Sequence, residues 1–129
     1  MEKLLTVNDV VSTFPAVNGL SYDPHGWVNG GNEWAYLIKK LKPKTIAEVG
    51  VWLGMTTRLF CDFPFVEKVV SVDYWDAFKI DPKSIDMNQQ PSNRRITMYE
   101  QFLKNCIHAN IADKVYPLRM SSLEGAQVC

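Results

Sequence analysis

Two short apolar runs, residues 45–50 (TIAEVG) and residues 69–73 (VVSVD), most narrow what this chain can fold into. Neither alternates apolar with polar residues, so each reads as a parallel strand covered on both faces rather than a half-exposed one. Between them, residues 55–63 can form a helix that Pro64 closes. Strand, helix and strand in that order make a crossover unit, which is right-handed in nearly every known sheet. The expected class is α/β, with a parallel sheet and flanking helices.

The rest of the chain extends this pattern. Asn32 can cap a helix in which Trp34, Leu37, Ile38 and Leu41 recur at helical spacing before Pro43. Residues 1–31, broken by Phe14-Pro15, Asp23-Pro24 and Asn29-Gly30-Gly31, read as an irregular lead-in to a domain over residues 32–129. Residues 74–91 lack periodicity and read as a long loop. After it, Ser92 or Asn93 can cap a helix with Ile96, Tyr99, Leu103, Cys106 and Ile107 on one stripe. Glu100, Gln101, Lys104 and Asn105 fall mainly elsewhere, and Glu100 with Lys104 is spaced for an ion pair. Residues 114–120 read as a third strand, which Pro117 marks as an edge, and Ser121 or Ser122 can cap a last helix.

Composition excludes several classes of function. Fourteen basic and fourteen acidic residues cancel without long runs, so no footprint for nucleic acid or an anionic membrane is visible. Cys61, Cys106 and Cys129 show no ligand spacing, which predicts reduced thiols, no metal site and a cytoplasmic chain. No apolar stretch has the length of a signal peptide core or a membrane span.

The chemistry concentrates where the first strand turns into its helix, at Glu48, Gly50, Val51, Trp52, Gly54, Thr56 and Thr57. Ligands of such sheets sit at the carboxyl ends of the strands. A carboxylate two residues before the first glycine would repel a pyrophosphate, and Gly50 with Gly54 misses the dinucleotide spacing. A cationic ligand gains from Glu48, and N–H groups at the helix start can receive a carboxylate. Asp73, ending the second strand, can accept hydrogen bonds from both hydroxyls of a ribose. Tyr74 or Trp75 can pack on a flat ring, and Ser121 and Ser122 offer it a polar edge. Glu48 can equally be a strand-end acid paired with Lys44 or Arg58, and Asp73 a turn former. His25 and His108 have no visible chemical partner.

These segments, Glu48 to Thr57, Ser71 to Trp75, Tyr99 to Leu103 and Pro117 to Glu124, resemble class I S-adenosylmethionine-dependent methyltransferases of the Rossmann-like, small-molecule type, over residues 27–125. The resemblance implies that Glu48 and the Gly50 to Gly54 turn bind the methionine part of S-adenosyl-L-methionine, Asp73 the ribose, and the segment after the third strand the adenine. It also implies an incomplete fold, the first three strands of the methyltransferase sheet, with the fourth strand and the acceptor-binding residues beyond them. The acceptor is then a small molecule, most similar to a hydroxyl substrate, and no catalytic residue is identified. The open edge of the first strand is expected to self-associate. A non-catalytic binding module and a nicotinamide-dependent oxidoreductase are the competing readings, the latter opposed by Glu48 and the glycine spacing.

Overall fold

The computed structural model describes residues 3–24, 31–75 and 97–129. Most of the expected loop, the candidate caps Ser92 and Asn93, and His25 and Trp27 lie outside the described residues. Within them the order is α1 (Val7–Val10), two 3-10 turns (Val11–Thr13 and Pro15–Gly19), α2 (Gly31–Leu41), β1 (Thr45–Val49), α3 (Met55–Cys61), β2 (Lys68–Asp73), α4 (Met98–His108), β3 (Val115–Arg119) and α5 (Ser122–Val128). The strands form one parallel sheet, with β2 between β1 and β3. This is an α/β arrangement consistent with an incomplete Rossmann-like fold, as the alternation of elements predicts.

Register sorts the side chains by face. Glu48, Ser71 and Pro117 share one row across the three strands, and Val49, Val72 and Leu118 the next. Val69 and Val115 join the main core with Phe60, Phe102, Leu103 and Cys106, so α3 and α4 cover the face that carries Glu48. The opposite face meets α5 through Gly125, where an added Cβ would stand 2.8 Å from Val72 Cγ1. Pro117 lies on the edge strand β3, where its missing N–H costs no inner ladder bond.

Three expectations need correction. The lead-in is less irregular over its described residues than expected: the Thr6 hydroxyl and the Asp9 carboxylate cap α1 reciprocally, and Val7 and Val17 belong to the main core. Local capping chemistry and two buried valines override the turn-like composition. The cap of α4 is Thr97, whose hydroxyl accepts from Glu100 N–H while Glu100 bonds back, so Glu100 serves the helix end. Finally, β1 is not covered on both faces, since Thr45, Ala47 and Val49 are exposed. No strand pairs with its outer side among the described residues. No helix among the described residues is long and apolar enough to cross a membrane.

Candidate functional site

The turn from β1 into α3 is held by one carboxylate. Asp73 Oδ2 accepts the N–H groups of Val51 and Trp52, both at 2.8 Å, and Oδ1 accepts Trp75 N–H at 2.8 Å. Trp75 Nε1 in turn donates to the Trp52 carbonyl at 2.6 Å. The two tryptophans occupy left-handed backbone, at φ 57° for Trp52 and 52° for Trp75, which side chains with a Cβ rarely adopt. A conformation of that kind persists where surrounding bonds over-determine it, and Asp73 supplies three of them. Gly50 and Gly54 take φ 79° and 91° in the same turn. Gly54 is also pressed from outside, because a Cβ there would lie 3.1 Å from the Phe102 ring.

Glu48 stands under this turn, 8% exposed. Thr57 Oγ1 donates to its Oε1 at 2.5 Å, and that is its hydrogen bond among the described residues. Burial pushes the Glu48 carboxyl from 4.5 up to about 7; the Thr57 bond opposes that shift, and the Asp73 charge adds to it. The pairing with Lys44 or Arg58 does not form among the described residues: Arg58 Nη1 instead donates to the Tyr22 hydroxyl oxygen at 2.9 Å. Beside Glu48, the Ser71 hydroxyl is buried with no hydrogen-bond partner among the described residues.

Glu48, Gly50 and Thr56 line one end of a groove of about 560 Å³ between α2 and β1, whose walls are apolar: Leu37, Ile38, Leu41 and Ile46 among them. The groove therefore joins one acid and a glycine turn to apolar surface. That chemistry suits a ligand with a cationic group and an apolar body.

The remaining expected residues divide. Met120 N–H donates to the Asp73 carbonyl at 3.1 Å, which brings the turn before α5 next to the Asp73 turn. There Ser121 Oγ accepts Glu124 N–H at 3.1 Å as the cap of α5, and Ser122 is exposed in its first turn. Thr57 is fully buried against Glu48, whereas Thr56 reaches the groove. Val51 is buried in the core, and Tyr74 is exposed. Trp75, expected to pack on a ligand ring, is only 2% exposed and stacks in the core against Tyr99 and Phe102, at 5.0 and 4.7 Å between ring centroids.

The sequence reading missed a polar latch on α4. Asn105 Oδ1 accepts Asp23 N–H and Gln101 Nε2, and Asn105 Nδ2 donates to the carbonyls of Asp23 and Leu53, all at 2.8–2.9 Å. Gln101 Nε2 also donates to the Ser21 carbonyl at 2.9 Å. Both side chains are buried, contrary to their expected place off the apolar stripe. The signal was present: two amides at i and i+4, flanking Phe102, Leu103 and Cys106, lie on the helix side that must face the core.

Compared with family models, curated proteins and solved structures, the chain matches none.

Proposed function

We propose that the β1–α3 turn binds the amino-acid end of S-adenosylmethionine, and that the chain is the cofactor-binding part of a methyltransferase for a small hydroxyl-bearing molecule. The observation that carries this reading is the buried acid Glu48 among the lining residues of an apolar groove, next to a glycine turn that Asp73 holds. A buried acid with one hydroxyl partner favours a ligand that brings its own positive charge. The ammonium of S-adenosylmethionine meets that need, and its lack of phosphate avoids the repulsion a dinucleotide would suffer here.

Asp73 has little accepting capacity left for a ligand. A carboxylate offers about four acceptor positions, and three are taken by backbone N–H groups. One ribose hydroxyl can be accepted at Oδ1 without disturbing the turn, rather than two. Trp75 supplies no stacking surface for adenine, which leaves Tyr74 and the turn at Ser121 to border it. When bound, the cofactor supplies a methyl group activated by the adjacent sulfonium. The residues of this chain bind and orient it: Glu48 holds the ammonium, and Asp73 fixes both the turn and the ribose.

Calorimetric titration with S-adenosylhomocysteine at pH 8 tests the reading. Binding is expected, with Glu48→Gln weakening it about tenfold or more, the worth of one hydrogen bond to a charged group. Binding should tighten from pH 6 to pH 8 as Glu48 loses its proton. Equal or better binding of nicotinamide adenine dinucleotide, or no heat with S-adenosylhomocysteine from a folded chain, would overturn it.

A further inference from the structure

The middle strand buries a hydroxyl that nothing answers. Ser71 lies within β2 at 0% exposure, and its Oγ is the one buried side-chain polar atom without a hydrogen-bond partner among the described residues. Leaving such a group unpaired costs free energy that folded chains normally avoid, so the orphan calls for a partner in another state of the site. The register identifies its neighbours. Glu48 occupies the same row on β1 and Pro117 the same row on β3, so the three side chains share the face that α3 and α4 cover. The proline ring has no hydrogen bond to offer, which leaves the Glu48 carboxyl as the polar neighbour across the ladder. Along β2 itself the next residue on that face is Asp73, about 6.6 Å further on, whereas the strand that carries Glu48 is about 4.8 Å away. Asp73 is moreover occupied by three backbone N–H groups.

Glu48 lacks what Ser71 has. A carboxylate offers about four acceptor positions, and a buried one that stays charged commonly collects two or three donors. Thr57 fills one position, on Oε1. The other groups facing Glu48 bring no positive charge. Asp73 on β2 carries a like charge, burial keeps the Cys61 and Cys106 thiols of α3 and α4 neutral, and the α2 residues along the groove are apolar. While Glu48 holds its proton, the Ser71 hydroxyl has no charge to serve. Once the proton leaves, rotation about one torsion, χ1, carries that hydroxyl toward the unfilled oxygen.

We propose that Ser71 is a positioning residue for Glu48, a reserve donor whose hydroxyl turns onto the carboxylate when it ionises and holds it charged for a cationic ligand. Ser71 itself meets no ligand, being fully buried. It acts by setting the charge of the group that does. The ligand clause rests on the reading of Glu48 as the acid that receives an ammonium, while the donor is tested with no ligand present.

Carbon-13 NMR titration of the Glu48 carboxyl, assigned by its disappearance in Glu48→Gln, should give a midpoint of about 7 in the wild-type chain. Ser71→Ala keeps the strand and removes the donor, so the midpoint should rise by about one pH unit or more. Thermal melts should part in the same sense. At pH 5, where the stranded hydroxyl is gone, Ser71→Ala should be at least as stable as wild type; at pH 9 it should be less stable. In a Glu48→Gln background its effect should be the same at both pH values. An unmoved Glu48 midpoint overturns the proposal, and so does an equal loss of stability at pH 5 and pH 9, which is what a packing role alone would give. Titration with S-adenosylhomocysteine tells the two readings apart. Binding whose pH midpoint rises with that of Glu48 supports both. A moved carboxyl midpoint without binding keeps Ser71 as the donor and overturns the ligand reading, and binding with an unmoved midpoint overturns the donor alone.

Discussion

The carboxyl of Glu48 keeps its proton in the folded chain between about 4.5 and about 7, a range in which the unfolded chain has lost it. The folded state then binds more protons, and stability falls as pH rises through that window. A shift of this size corresponds to a loss of the order of 3 kcal/mol, so thermal melts from pH 4.5 to 8 should fall for the wild-type chain and stay flatter for Glu48→Gln. Gly54→Ala gives a second prediction. Positive φ and the Phe102 ring 3.1 Å away both oppose a Cβ, so urea unfolding should show a loss of about 2 kcal/mol or more. At this scale the position of the two acids was legible, because each closes an apolar run, and Asp73 holds the turn as the turn-forming alternative had it. The place of Trp75 was not, because its ring is sealed by Tyr99 and Phe102 and its N–H by the Trp52 carbonyl, partners more than twenty residues away in sequence.

Among the elements, α4 does the most to organise the site. Its buried amides tie residues 21–23 to the carbonyl of Leu53 in the glycine turn, so the first segment of the chain and that turn share one support. Asn105→Ala strands several of those buried groups without partners; denaturation should register a loss of about 3 kcal/mol. Amide exchange should quicken at Asp23, whose N–H is held by Asn105. Periodicity revealed the helices and apolar runs, since those patterns are local. The cap at Thr97 and the latch at Asn105 were hidden because their partners, a shifted helix start and a segment about 80 residues away, are fixed by tertiary packing.

For the whole molecule, the decisive property is the asymmetry of the sheet. One face is covered by α1, α3 and α4 around a continuous aromatic and aliphatic core, and the other carries the short α5 on β2. Gly125→Val places added carbons against Val72, where the Cβ alone already meets Cγ1 at 2.8 Å. It should lift α5 and expose β2, seen as increased binding of a hydrophobic dye. The class of fold followed from the order of elements, whereas the exposed edge of β1 depends on what stands beside it, which no run of five residues encodes. The sealed indole of Trp75 has a spectroscopic consequence. With its N–H bound by the Trp52 carbonyl and its ring out of water, it should emit at short wavelength and resist iodide. Trp34, exposed on the groove wall, should be quenched readily, so the same chain carries one lamp that reads the turn and another that reads the groove.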